Sequence, residues 1–190
     1  MNKVKYGLSN VFYATCIIGT TGAATYGTPV AIPGGVNLSL DAQGENSPFY
    51  ADNIKYFVTS TNSGYEGDLE VAQIPDSFRV DCLGEILDSK GCYVEDAGAV
   101  AKPFALMFQF EGDENATRHV LYNCTATRPQ ISGATKEDTT EPQTETINIS
   151  CGSVWNTALQ KNLVKARCTN STATSTTYNS WTTTVYQPTA

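Results

Sequence analysis

The chain has 190 residues, and its 12 Lys and Arg against 19 Asp and Glu leave a formal net charge of −7. A chain with this charge repels polyanions, which argues against tight nucleic-acid binding. The length fits a single domain, residues 1–190, whose core needs no disulfide or metal ion. Only 16% of the residues are charged while Gly, Tyr, Thr, Ser and Asn are plentiful, so we expect a mainly β fold with polar turns.

The beginning of the chain combines Lys3 and Lys5 with the apolar residues 11–18, which loosely resembles a signal peptide. The alternation of Val11, Tyr13 and Ile17 with other residues equally predicts a strand at residues 11–17. No apolar stretch reaches the roughly 20 residues that a transmembrane helix needs, so we expect no membrane partner.

A second strand is predicted at residues 36–42, followed by a polar loop of the kind that makes contacts with other proteins. Residues 54–60 and 65–71 flank a turn signal ending in Gly64, which predicts that they pair as an antiparallel hairpin. The residues of the polar loop that we expect at an interface between subunits are Gln43, Glu45, Asn46, Ser47 and Pro48.

The strand at residues 65–71 places Glu66, Asp68 and Glu70 on one face, because side chains alternate along a strand. We call these three residues the acidic row. A solvated sheet face explains such a row most simply, a lining for a channel comes second, and a pair of hydrolytic carboxylates comes third. One short α-helix is predicted near residues 75–84, with Phe78 docking on a sheet, Arg79 and Asp81 in water, and Gly84 as the left-handed stop.

The second half of the chain predicts a hairpin of residues 104–110 with 119–126, a polar loop at residues 128–143, a strand at 145–151 and a closing strand at 180–186. The only histidine, His119, falls within a predicted strand, and the chain has no nucleophile elbow and no phosphate-binding glycine loop. We therefore expect no enzymatic activity and no cofactor.

The six cysteines contain no C-x-x-C pair, so a metal site is not expected. They could form three disulfides in a secreted protein, although free buried thiols are the simpler interpretation. Five N-x-Ser/Thr sequons also suit a secreted protein, but a chain rich in Asn, Ser and Thr produces them by chance. The cysteines are Cys16, Cys82, Cys92, Cys124, Cys151 and Cys168, and the sequons start at Asn37, Asn115, Asn123, Asn148 and Asn170.

Most of residues 4–150 resembles the major tail proteins of long-tailed phages of Gram-positive bacteria. The resemblance is carried by six stretches in order, at residues 26–33 (YGTPVAIP), 36–54 (VNLSLDAQGENSPFYADNI), 64–69 (GYEGDL), 74–84 (IPDSFRVDCLG), 118–129 (RHVLYNCTATRP) and 141–147 (EPQTETI). It weakens after Trp155, so the segment 155–190 is the least defined. Six cysteines, and the apolar Cys16 to Ile18, depart from what we expect of that family.

The resemblance implies a sandwich or barrel of two packed antiparallel sheets. It also implies hexameric rings of this chain that stack into a tube, with tape-measure and tail-terminator proteins as further partners. DNA would pass through the lumen without specific binding, and the protein would be made and assembled in the host cytoplasm and reside in the virion. A secreted, disulfide-containing β-rich binding or adhesin module is the alternative, and a phage-derived injection device shares the same fold.

Overall fold

The computed structural model describes residue 4 and residues 6–112, 116–135 and 142–189. Strands dominate this part of the chain, as the composition predicts. In chain order they are β1 (Tyr6–Ile18), β2 (Ala24–Tyr26), β3 (Val30–Ala31), β4 (Gly35–Gln43), β5 (Asn46–Ala51), β6 (Ile54–Ser60), β7 (Gly64–Val71), β8 (Ile86–Leu87), β9 (Tyr93–Val94), β10 (Phe104–Glu111), β11 (Arg118–Ala126), β12 (Glu145–Gly152), β13 (Val154–Asn156), β14 (Lys161–Leu163) and β15 (Lys165–Cys168). The helical segments are α1 (Asp76–Phe78), which continues into a π-helical turn (Arg79–Leu83), and α2 (Ser175–Ser180).

A large antiparallel sheet organises the molecule, in the order β2-β1-β10-β11-β12-β7-β4, with β3 also on β1 and β15 also on β11. Strand β11 has two partners on the same side, because its first half pairs with β15 and its second half pairs with β12. The predicted pairing of residues 104–110 with 119–126 is confirmed as β10 on β11. The mainly β class and its sandwich-like layers of antiparallel sheets are thus as the sequence predicts.

The prediction that residues 54–60 pair with 65–71 is wrong. Strand β6 pairs with β5, and β7 pairs with β4, so residues 35–71 form one long two-stranded ribbon. The ribbon turns at Asp52 and Asn53, whose φ angles of 50° and 60° are those that Asp and Asn tolerate in two-residue hairpin loops. Residues 61–64, where the sequence predicts a hairpin turn, mark instead the point where the ribbon enters the sheet. The two strands of the ribbon remain paired there, because the N–H of Thr61 donates to the carbonyl of Glu45 at 3.0 Å.

The polar loop predicted after residue 42 is also corrected, because only Gly44 and Glu45 lie between strands. Gln43 ends β4, while Asn46, Ser47 and Pro48 begin β5. Side chains here are exposed on both faces of the ribbon, so no apolar alternation marks the strands in the sequence.

The main core lies between the sheet and the helical segment after Pro75. The ring of Phe78 packs edge-on against Tyr13 and Phe104, with ring centroids 5.1 and 5.2 Å apart. The predicted docking of this helix and its left-handed end at Gly84, with φ of 83°, are confirmed. These aromatic contacts hold the helical segment on the sheet. Each pair stabilises the fold by a further amount beyond the burial of apolar surface.

The prediction that Arg79 and Asp81 face water is wrong, since both are half-buried. The guanidinium of Arg79 lies 3.0 Å from the carboxylate of Glu145, and the hydroxyl of Tyr13 donates to Asp81 at 2.9 Å. The helical segment packs against the sheet, so its polar side chains also reach partners on β1 and β12.

A second core covers the other face of β1, β10 and β11 and is built by the end of the chain. Tyr178, Trp181 and Val185 pack there on Met107 and Val120. The closing strand predicted at residues 180–186 is therefore wrong, because α2 and an irregular turn take its place, adding a second helical segment. The spacing of residues 178, 181 and 185 is helical, but the abundance of Ser and Thr favoured a strand.

Candidate assembly and lumenal surfaces

The acidic row lies on the bare side of the sheet, opposite the main core. Leu69 and Val71 of β7 are fully buried, so strand alternation directs Glu66, Asp68 and Glu70 outward. The structure thus confirms that the three carboxylates share one face. Because β7 is flanked by β12 and β4, the row forms the middle of a broader surface and not its edge.

The neighbours of the acidic row are all polar. Asp41 is opposite Glu66 on β4, and Asn148 is opposite Asp68 on β12. We call the whole surface the polar face, and its nine residues are Asn37, Ser39, Asp41, Glu66, Asp68, Glu70, Thr146, Asn148 and Ser150. Four of the nine are carboxylates and none is basic, so the surface is negatively charged at neutral pH.

Hydrogen bonds hold two of the carboxylates without neutralising them. The hydroxyl of Thr144 donates to Glu70 at 2.6 Å, and the side-chain amide of Asn148 donates to Asp68. Neutral donors orient a carboxylate while leaving its charge in place. Sequence reasoning missed the flanking residues, although the alternation of Thr146, Asn148 and Ser150 with buried residues in β12 carries the same signal.

Beyond the polar face, the same side of the sheet is covered by the second core. Trp181 is 2% exposed there, and its indole N–H donates to the carbonyl of His119 at 3.3 Å. One half of the sheet is therefore covered by the end of the chain, while the other half presents a hydrophilic and acidic surface.

A second surface is the arm, which we define as residues 46–60, the hairpin of β5 and β6. Its strands pair only with each other in the described chain, and every side chain except that of Ala51 is exposed. Its large apolar side chains are 45–70% exposed, and they are Phe49, Tyr50, Ile54, Tyr56, Phe57 and Val58. Exposed apolar clusters of this kind mark protein interaction sites in soluble proteins.

The second strand of the arm contains a β-bulge. Phe49 pairs with Phe57 and Tyr50 pairs with Lys55, so Tyr56 is the extra residue of a β-bulge. A bulge increases the local twist and bends the strand. The five residues predicted at an interface between subunits are all exposed, and they lie at the root of the arm and along its first strand.

A smaller apolar hairpin, β8 on β9, carries the exposed side chains of Ile86 and Tyr93. The guanidinium of Arg128 lies 2.7 Å from Glu95 just after this hairpin. The segment predicted as a polar loop at 128–143 therefore starts beside it, and its residues 128–135 have no regular structure. Residues 136–141 of that segment lie outside the described residues.

The features considered for catalysis lie on separate strands, His119 on β11 and the acidic row on β7. His119 stacks on Phe108 with ring centroids 5.1 Å apart, within the sheet. The acidic row lies on an open face and lines none of the three described cavities, one of which has a volume of about 260 Å³ beside Tyr26 and Trp155. Among the described residues, no group of three His, Cys, Asp or Glu side chains could hold a metal ion.

Comparison with known proteins identifies the family of the chain. A family model described as phage tail tube protein matches residues 1–160, and a search of curated proteins finds no match. No helix in the described part of the chain is long and apolar enough to cross a membrane. Because the family model covers most of the sequence, the chain belongs to the phage tail tube protein family.

Proposed function

We propose that this chain is the major tail subunit of a long-tailed phage of Gram-positive bacteria. Its copies close into hexameric rings, and the rings stack into a tube through which DNA passes during ejection. The observation that carries the proposal is the arm. An apolar hairpin that a monomer leaves in water is the feature expected of a subunit that buries it against another copy.

Ring closure uses the open edge of the sheet. In the described chain β4 pairs with β7 alone, so the backbone groups on its outer side have no strand partner among the described residues. Pairing that edge with a neighbouring copy satisfies these groups and blocks uncontrolled association. Such a contact joins two different surfaces, and head-to-tail contacts of this type close into rings.

Ring stacking uses the arm and its root. The arm leaves the sheet beyond Gln43 and Gly64, so its aromatic side chains project away from the cores of their own subunit. Its root carries Glu45, Asn46 and Ser47, which supply a polar rim around the apolar contact. The segment that starts at Arg128, together with the β8–β9 hairpin, makes the second contact between subunits.

The polar face lines the lumen. A wall with four carboxylates per subunit and no basic residue repels DNA phosphates, so DNA slides without binding. The nine residues of the polar face include no aromatic or other apolar side chain for bases to stack on. The net charge of −7 agrees with this role, because a DNA-binding surface would be basic.

The remaining parts of the proposal follow from this role. The 190 residues act as one tail-tube domain with no catalytic function. Tape-measure and tail-terminator proteins are the further partners at the lumen and at the tube end. The subunit resides in the virion after synthesis and assembly in the host cytoplasm.

Negative-stain electron microscopy of the concentrated, reduced protein tests the proposal. We expect rings or tubes with a central hole from the wild-type chain. In the double variant Phe49→Ser and Phe57→Ser, two facing aromatic side chains are lost from the arm. Burying each contributes about 1 kcal/mol or more, so tubes should form only at a concentration higher by about tenfold or more.

The matched control is Val100→Ser, an 80% exposed apolar residue outside the arm, which should assemble like the wild type. Circular dichroism and thermal unfolding should be unchanged in all three proteins, because the arm contributes nothing to either core. Normal assembly of the double variant would refute the role of the arm. A wild-type protein that forms neither rings nor tubes at any concentration would contradict self-assembly.

A further inference from the structure

Two of the six cysteine side chains meet inside the main core. All six are free thiols in the structure, as the sequence predicts, and five of them are buried. Cys124 on β11 and Cys151 on β12 are directly opposite each other in the ladder, and their sulfur atoms lie 2.6 Å apart. That separation is only about half an ångström longer than a disulfide bond of about 2.05 Å.

We propose that Cys124 and Cys151 are a site of oxidative cross-linking and form a disulfide in the presence of oxidised glutathione. One thiolate attacks the glutathione disulfide and releases one glutathione, giving a mixed disulfide. The second thiol then displaces the other glutathione, so one S–S bond forms within the protein. The two protein S–H bonds supply two electrons and two protons, and oxidised glutathione is reduced to two molecules of glutathione.

The position of this pair gives the cross-link a structural consequence. Strand β11 changes partner from β15 to β12 just before Cys124, since Leu121 pairs with Lys165 and Asn123 pairs with Gly152. A disulfide there joins the half of the sheet that carries the polar face to the half that carries the second core. It also closes a loop of residues 125–150, which includes the polar segment after Arg128, and such a closure restricts the unfolded chain.

The surroundings determine when the bond forms. Cys124 is fully buried and Cys151 is 1% exposed, so neither thiol meets an oxidant in the closed sheet. Loss of water raises the pKa of Cys124 well above its usual range, and hydrogen bonding with Cys151 raises it further. Because the thiolate is the attacking species, the folded protein oxidises slowly. Oxidation is faster while β11 and β12 are still apart during refolding.

Refolding the full chain with oxidised glutathione, followed by iodoacetamide and tryptic mass spectrometry without reductant, tests the proposal. Trypsin cuts after Arg118, Lys136 and Lys161 but not at the Arg128 to Pro129 bond. We expect an intact mass lower by two hydrogen atoms and a linked pair of peptides, residues 119–136 with 137–161. Oxidation should raise the melting temperature by about 5–10 °C, and reduction during unfolding should abolish the rise.

Two variants separate this pair from the other thiols. Cys151→Ala should lose both the linked peptide and the rise in melting temperature. Cys92→Ala removes the exposed thiol and should keep both. If Cys151→Ala fails to fold, the peptide map of the wild-type chain still decides the question.

The proposal is overturned if Cys124 and Cys151 are both alkylated by iodoacetamide after oxidative refolding. It is equally overturned if Cys124 is linked to another cysteine, or if oxidation yields only a glutathione adduct at Cys92. None of these outcomes depends on tube formation, so failure here leaves the proposed function untouched.

Discussion

Replacing Trp181 with Ala tests whether the end of the chain, beyond the residues matched by the family model, is part of the fold. The indole ring of Trp181 stacks on Tyr186 with ring centroids 5.2 Å apart, and its N–H donates to the carbonyl of His119 at 3.3 Å. With 2% of its surface exposed, it is among the largest fully buried side chains of the described residues.

The expected loss follows from the volume removed. Truncating a buried Trp to Ala costs about 3–5 kcal/mol through lost burial and the cavity left behind. The lost hydrogen bond to His119 adds about 1 kcal/mol. We therefore expect the free energy of unfolding to fall by about 4–6 kcal/mol and the melting temperature to fall by about 10–20 °C.

Urea unfolding followed by far-ultraviolet circular dichroism measures this change. The other tryptophan, Trp155, is half-buried, so Trp155→Ala is a matched control with an expected loss of about 1–2 kcal/mol. A loss below about 1 kcal/mol in Trp181→Ala, similar to that of a surface substitution, would refute the second core. The same result would mean that residues 175–189 are an appendage to the tube domain.

Two further predictions concern charge and pH. Replacing all three members of the acidic row with Lys should slow DNA passage and lower infectivity without preventing tube assembly. Lys at Asp76 and Glu111, two exposed carboxylates outside the polar face, should leave infectivity unchanged. Infectivity of the acidic-row variant equal to that of the wild type would refute a lumenal row. Burial raises the pKa of Cys82 from 9.0 to about 12, so folding favours its protonated thiol, and this contribution is lost as pH rises from 9 to 12. Between pH 9 and 12 the free energy of unfolding, measured by urea titration, should fall more steeply in the wild type than in Cys82→Ala. The difference in slope should reach up to about 1.4 kcal/mol per pH unit. Equal slopes for the two proteins would contradict a raised pKa of Cys82.

The strands that could be predicted were those with one buried face. In β7 and β12, buried residues recur at every second position, and that alternation alone placed the acidic row on the outer face. In the arm, apolar and polar residues are exposed on both sides, so alternation carries no information about pairing. The Gly-containing residues 61–64 match a hairpin turn better than Asp52 and Asn53 do. The ribbon nevertheless turns at Asp52 and Asn53.

The end of the chain shows the opposite error. Thr and Ser favour strands by propensity, yet residues 175–180 form α2, because packing of Tyr178 and Trp181 on the sheet outweighs a preference that spans only about 1 kcal/mol. The resemblance to tail proteins could not correct this, since it weakens after Trp155 and the family model ends at residue 160.

The sequence by itself determined the mainly β class, the docking helix near Phe78, the shared face of Glu66, Asp68 and Glu70, and the family. Each of these depends on local periodicity or on matching stretches of sequence. Only the tertiary structure decided that β7 lies between β4 and β12, that the arm stands free, and that Cys124 meets Cys151. These contacts join residues separated by up to 86 positions, as between Tyr65 and Cys151. The free energy that selects them comes from burial across the whole sheet, which no local pattern encodes.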